Sequence, residues 1–239
     1  MAIVTKTVDY YDGAVRLEAL VAYSDATTEP RPVVLINHTW AGRDQFVAEK
    51  ARKIAELGYV GFAVDMYGDG MVGASPEQNA QLMQPFILDR AKLQRRMQAA
   101  LDAAKQLAEV DAKRCAAIGF CFGGLCVLDL ARTATELKGV VSFHGLLGAP
   151  GNTEGNQINA KVLVLHGHDD PMVPLEQVVA FQQEMTRAKA DWQLHSYGRT
   201  MHAFTNPLAN DPSFGTVYQP DANRRSWQSM QNFLEELFA

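Results

Sequence analysis

Ala116-Ala117-Ile118-Gly119-Phe120-Cys121-Phe122-Gly123-Gly124-Leu125 is the stretch on which the reading of this chain turns. Ala116-Ala117-Ile118 is short and wholly apolar, as in a strand buried on both faces. From Leu125 to Arg132 the residues suit a helix. Between them stands Gly-x-Cys-x-Gly. Glycines on both flanks let the central residue occupy a sharp turn that larger neighbours would obstruct, with its side chain presented at the helix start. Backbone N–H groups and the helix dipole favour an anion there, so a thiol ionises more readily than free cysteine, whose pKa is about 8.5. Cys121 is thus the candidate nucleophile. Taken alone, a cysteine is as readily a small buried apolar residue, and that is the reading for Cys115 within the strand and Cys126 within the helix.

Working outward, strands are expected near 114–119, 138–143, 161–166 and 192–197, and helices near 123–134, 175–189 and 222–238. Upstream, Pro32 to Asn37 and Tyr59 to Val64 read as buried strands, with a helix over 45–57 that stops at Gly58. Residues 2–10 and 14–23 alternate like strands, and Asp12-Gly13 between them is a hairpin signal. Residues 65–75 read as a loop. Ser75-Pro76-Glu77-Gln78 combines an N-cap, a proline at the first helical position and a capping-box partner, and helical segments follow to about 109. Strands alternating with helices imply a mostly parallel sheet covered on both faces. Ligands of such sheets bind beyond the carboxyl ends of the strands.

Two further motifs follow strand ends. Val162-Leu163-Val164-Leu165-His166-Gly167-His168-Asp169-Asp170-Pro171-Met172-Val173-Pro174 runs from a strand into a polar loop. Asp170 fits an H-G-x-x-D-x-x-V-P arrangement, and Asp169, one residue earlier, is the competing carboxylate. His202 lies in Gly198-Arg199-Thr200-Met201-His202-Ala203-Phe204, between the strand at 192–197 and the last helix. The chain order Cys121, Asp170, His202 is the nucleophile–acid–base order of the α/β-hydrolase fold. Among the other histidines, His195 lies on a strand, His166 and His144 end strands and could line a pocket, His38 follows the first buried strand, and His168 reads as structural.

The chemistry expected of these residues is nucleophilic. His202 takes the thiol proton, and Asp170 orients the ring and stabilises the imidazolium. A carbonyl under attack needs donors for its oxyanion. The backbone N–H of Phe122 is one candidate, and the loop His38-Thr39-Trp40-Ala41-Gly42 should supply the other. A wall of Trp40, Met66, Tyr67, Met71, Met83, Phe86, Ile87, Phe122 and Phe204 would be apolar, although Met83, Phe86 and Ile87 read equally as helix packing.

On Ile36 to Gly42, Val64-Asp65-Met66-Tyr67-Gly68, the Cys121 elbow, Asp170 to Pro174 and His202-Ala203-Phe204, the chain resembles the dienelactone hydrolase family over nearly its whole length. The resemblance implies an α/β-hydrolase fold with about eight mainly parallel strands flanked by helices, a Cys-His-Asp triad, and Trp40 as the second oxyanion donor. Thr39 stands where the family has a glutamate that helps ionise the cysteine. Asn206 stands where one arginine would grip a substrate carboxylate, and Arg90 is the candidate for another. Losing such a charge-assisted clamp favours a neutral ester or lactone over an anionic dienelactone. The chain is also similar to family members that hydrolyse organophosphate triesters, which makes a phosphoryl-cysteine route the second expectation. A non-catalytic binding module on the same fold is the third, and the presence of all three motifs argues against it.

The 239 residues are 47% hydrophobic and 21% charged, enough for one α/β domain over 1–239 with a large core. The net charge of −5, with no basic block, argues against a nucleic-acid partner. No apolar run nears the ~20 residues needed to cross a bilayer, and the first six residues lack the pattern of a secretory leader, so a cytoplasmic protein is expected. Three cysteines within twelve residues suggest neither a disulfide framework nor a zinc site. No metal or cofactor is expected, the partner should be a small-molecule substrate, and a monomer or homodimer is the default.

Overall fold

The computed structural model describes residues 2–239. In chain order the first elements are β1 (Ile3–Asp12), β2 (Val15–Ser24), β3 (Arg31–Asn37), α1 (Gln45–Glu56), β4 (Val60–Ala63), α2 (Pro76–Leu88), α3 (Arg90–Lys105) and β5 (Val110–Phe120). They are followed by α4 (Phe122–Arg132), β6 (Gly139–Phe143), β7 (Lys161–Gly167), α5 (Leu175–Arg187), β8 (Trp192–Tyr197), β9 (Asn210–Asp211), β10 (Thr216–Val217) and α6 (Pro220–Phe238). Eight strands form one sheet in the order β1-β2-β4-β3-β5-β6-β7-β8, and β9 and β10 make a separate hairpin. The fold is the expected α/β-hydrolase fold, a mostly parallel sheet flanked by helices. The chain divides into two compact units, one ending at Ile118 and the other running from Gly119 to Ala239.

In the first unit β1 and β2 form an antiparallel hairpin in which Asp12 pairs with Val15, so the turn is Gly13-Ala14, one residue later than the sequence suggested. β2 continues antiparallel onto β4, and β3 and β4 are parallel. Every residue of β3 is buried, whereas β1 is mostly exposed or half-buried, as an edge strand should be. α1 packs on β2, β3 and β4, and α3 on β1 and β3. The helical segments expected to about 109 are two helices, the second ending at Lys105. Pro85 sits inside α2, and Asp89 (φ −121°, ψ 87°) leaves the helical region, ends α2 and caps α3 by accepting from Lys92 N at 2.9 Å. β5 begins at Val110, four residues before the strand expected at 114–119.

The loop after β4 hangs on one carboxylate. Asp65, fully buried, accepts the backbone N–H groups of Tyr67 and Gly68 (both 2.9 Å) on one oxygen and those of Glu18 (3.0 Å) and Gly70 (2.8 Å) on the other. Tyr10 completes the arrangement: its hydroxyl donates to Asp65 O at 2.9 Å and accepts from Asp65 N at 3.1 Å. Burial of that phenol pushes its pKa far upward, so it stays protonated.

The second unit repeats the parallel plan. β6 pairs with β7 and β7 with β8, all parallel, with α4 packed on β6 and α6 on β6 and β7. The β9–β10 hairpin had no signal in the sequence, because each strand is only two residues long. Among the described residues no helix is long and apolar enough to cross a membrane.

Substituting Asp65→Ala leaves four backbone donors to find new partners, and because each lost buried hydrogen bond costs about 1 kcal/mol, urea unfolding should show a loss of about 3–5 kcal/mol. A change below about 1 kcal/mol would mean that the carboxylate does not organise this loop.

Candidate active site

Cys121 lies between the last residue of β5 and the first of α4, with φ 56° and ψ −117°. Few non-glycine residues adopt this backbone, and it costs about 1–3 kcal/mol unless the surroundings impose it. They do so here. Cys121 N donates to Phe143 O (3.0 Å), and Cys121 O accepts from Gly124 N (3.0 Å), joining the residue to β6 on one side and the helix on the other. Gly119 is obligatory at the strand end: a Cβ there would lie 2.0 Å from Gly123 O. All of α4 is buried, and Cys121, at its head, is half-exposed. Cys115 and Cys126 are buried, as expected.

Of the two carboxylates beyond β7, Asp170 is buried and Asp169 exposed. Asp170 Oδ2 accepts from His202 Nδ1 at 2.7 Å, and Oδ1 accepts from Met172 N at 2.9 Å. The bond fixes the tautomer, so the other ring nitrogen, Nε2, is the one available for chemistry. It is buried and makes no hydrogen bond of good geometry among the described residues. Burial works against charging His202. The neighbouring Cys121 sulfur and the Asp170 carboxylate outweigh it, and the ring pKa rises to about 10.

The loops carrying Asp170 and His202 are held against one another by backbone. Asp169 N donates to Thr200 O (2.9 Å), and a Cβ on Gly167 would lie 2.6 Å from that same oxygen. The small hairpin then clamps this histidine: His202 N donates to Gly215 O (3.0 Å), and Val217 N to His202 O (3.1 Å). Gly215 has φ +80°, and a Cβ there would meet the Pro171 ring at 2.1 Å. One glycine thus touches the residue after Asp170 while holding the backbone of His202.

A second histidine sits inside the constellation. His144, 1% exposed, follows β6; its Nδ1 is 3.2 Å from Cys121 N and its Nε2 is 2.8 Å from Thr205 Oγ1. Its ring makes edge contacts with His202 (5.1 Å between centroids) and Phe204 (5.0 Å). Phe204 is fully buried and also touches Tyr197. His166, the penultimate residue of β7, is buried and is held below the usual imidazole range by desolvation. Asn206 turns its side chain back into its own loop, where Oδ1 accepts from Leu208 N at 3.0 Å. Phe122 opens α4, which places its N–H in the helix's first turn.

The remaining expected residues belong to the first unit. His38 is fully buried, and desolvation lowers its pKa to about 4. The neutral ring donates from Nδ1 to Thr39 O (2.6 Å) and accepts Met66 N–H at Nε2 (3.2 Å). The Trp40 carbonyl accepts from the Tyr67 hydroxyl at 2.8 Å, and Thr39 Oγ1 from Ala41 N at 3.3 Å. Met66 is fully buried, and Phe86, 3% exposed, lies against the Tyr67 ring (5.9 Å). Arg90 is half-buried at the start of α3.

The sequence profile described as "Dienelactone hydrolase family" matches residues 17–238. The chain belongs to this family. A dienelactone hydrolase-like promiscuous phosphotriesterase from metagenomic libraries is 40% identical, with a TM-score of 0.94 over 100% of both chains. A Bradyrhizobium protein named as a 2-oxo-3-(5-oxofuran-2-ylidene)propanoate lactonase is 27% identical over 98% of this chain and 96% of its own length. A Yersinia pestis protein named as a carboxymethylenebutenolidase is 25% identical over 92% of this chain and 84% of its own. The chain is therefore a hydrolase-family protein of the dienelactone type.

Two contacts of this family member's constellation escaped the sequence. His144 reads there only as a pocket-lining residue at a strand end, with no bond to the Cys121 backbone, and Gly215 lies in Ser213-Phe214-Gly215-Thr216, which says no more than "turn". Their partners, Cys121 N and Pro171, are distant in sequence. Gly215→Ala must break the contact with Pro171, and since displacement of a reacting group by about 1 Å can cost 100-fold, any hydrolysis of nitrophenyl acetate that depends on His202 should fall about 10–100-fold in kcat/KM. Unchanged turnover in Gly215→Ala would show that the hairpin does not set the position of His202.

Proposed function

We propose that this hydrolase cleaves small neutral esters and lactones through a covalent acyl-cysteine, with Cys121 as nucleophile, His202 as acid and base, and Asp170 as the group that orients the imidazole. The observation that carries this reading is the buried His202 Nδ1–Asp170 Oδ2 bond of 2.7 Å, on a ring whose charge is favoured by the sulfur at the head of α4.

The Cys121 thiol gives its proton to His202, and the thiolate attacks the carbonyl carbon. The oxyanion forms beside the Phe122 N–H at the positive end of α4. On collapse the C–O bond breaks, and the leaving alkoxide takes the proton from His202. Water then loses a proton to His202 and attacks the thioester, the C–S bond breaks, and the carboxylic acid departs as the thiolate is restored. Thiol ionisation here rests on His202 and the helix start, since Thr39 stands where a glutamate would assist. Asn206, engaged with Leu208, carries no charge for a substrate carboxylate, which supports neutral substrates.

A second reading has its own support: the relative that shares 40% of its residues over the full length is named as a promiscuous phosphotriesterase. Thiolate attack at phosphorus would expel an aryl oxide and leave a phosphoryl-cysteine. Thiolate leaves more readily than alkoxide, so water can release the phosphodiester and free the enzyme.

Cys121→Ala should reduce ester turnover by at least about 10⁴-fold, as removal of a triad nucleophile does elsewhere. Cys121→Ser should retain some ester hydrolysis but stop after one equivalent of paraoxon. Continued triester turnover by the serine variant would refute the phosphoryl-cysteine route.

The pH dependence follows in sign. A histidine whose folded pKa is raised from 6.5 to about 10 stabilises the fold fully below pH 6.5, and that contribution disappears as the pH climbs through about 10. The pair titrates jointly, so removing the sulfur must move the ring's midpoint. Histidine NMR should place the His202 transition near pH 10 in the wild type and at least about one unit lower in Cys121→Ala. Identical midpoints would rule out an ion pair between sulfur and ring.

A further inference from the structure

We propose that His144 is a positioning residue of this hydrolase: its neutral imidazole bridges the Cys121 backbone N–H and the Thr205 hydroxyl, and so holds the nucleophile's turn in register with the loop that carries the base. This inference rests on the reading of Cys121 as nucleophile.

Hydrogen bonding assigns the tautomer. Nδ1 lies 3.2 Å from Cys121 N, a group that can only donate, so this nitrogen must carry a lone pair. The ring proton is then on Nε2, which donates to Thr205 Oγ1 at 2.8 Å. Both nitrogens are used, and the ring is neutral.

Its placement matches this role. His144 stands at the end of β6, one residue after Phe143, whose carbonyl shares the same Cys121 N–H. Thr205 lies three residues after His202 and one after Phe204, whose ring packs against His144. The imidazole therefore reaches from the nucleophile's backbone to the base's loop in one rigid span, flanked by His202 itself at 5.1 Å. Both ends of the first contact are strained: Cys121 has φ 56° and His144 has φ 39°. Two residues in sparsely populated backbone regions, tied by one hydrogen bond, hold each other in place. A ring that merely filled space would need neither nitrogen.

Asparagine and phenylalanine separate the atoms from the volume. Asn Oδ1 falls near the position of Nδ1, and asparagine tolerates positive φ, whereas phenylalanine keeps the ring and removes both nitrogens. Three variants, His144→Phe, His144→Asn and Thr205→Val, would be assayed for kcat and KM on nitrophenyl acetate, for melting temperature, and for Cys121 alkylation by iodoacetamide as a function of pH. The buried Cys115 and Cys126 keep the alkylation specific to Cys121, which mass spectrometry would verify.

His144→Phe is expected to lower kcat about 30-fold with KM changed less than about threefold, and to move the alkylation profile upward by about one pH unit, because a loosened turn no longer holds the sulfur against the imidazolium. His144→Asn should recover to within about fivefold of wild type, and Thr205→Val should lose about threefold with a smaller shift of the same sign. The proposal is overturned if His144→Asn is no better than His144→Phe, or if the alkylation profile stays fixed in Thr205→Val. The second criterion stands even where His144→Phe fails to fold. Retained turnover in Cys121→Ala would instead remove the nucleophile reading itself, whatever the His144 variants do.

Discussion

A cysteine at φ 56° and ψ −117° does not stay there unaided. Much of the second unit can be understood as the apparatus that keeps it there. β5 delivers the chain to the turn, Gly119 clears the way for the Gly123 carbonyl, and Phe143 and His144 take the Cys121 N–H from the neighbouring strand. The gain is a sulfur presented to the start of an eleven-residue buried helix, where the backbone offers donors and positive potential. The burial of α4 supplies the free energy that makes this backbone strain tolerable.

His202 is positioned by a different principle. His202 sits in a loop, and loops do not hold side chains to a fraction of an ångström on their own. Its ring is oriented by the buried Asp170 carboxylate, and its backbone by the two-strand hairpin through Gly215 and Val217. Because Gly215 also rests on Pro171, the Asp170 and His202 loops share one support. Short elements with no independent stability thus become rigid by mutual contact.

Within the first unit the same economy appears. Asp65 gathers four N–H groups, Tyr10 closes on its peptide, and neutral His38 joins Thr39 to Met66. Polar groups buried to this depth are costly unless every partner is in place. Satisfied, they order the loops after β3 and β4 without a helix or strand to do it.

Much of this was legible in the residues alone. Alternating apolar runs and helical periods define a mostly parallel sheet, Gly-x-Cys-x-Gly marks the elbow, and the order of Cys121, Asp170 and His202 along the chain marks the constellation. These signals are local: they record burial and backbone conformation within about ten residues. Other features depend on contacts between distant segments. The pairing of Asp170 rather than Asp169 with a histidine 32 residues away is one. The reach of His144 across to Thr205, the seat of Gly215 on Pro171, and the turning of Asn206 into its own loop are others. Sequence alone determined which chemical groups are present and which elements carry them. Tertiary structure decided which of those groups meet, because loop closure sets separations of tenths of an ångström that no local periodicity encodes.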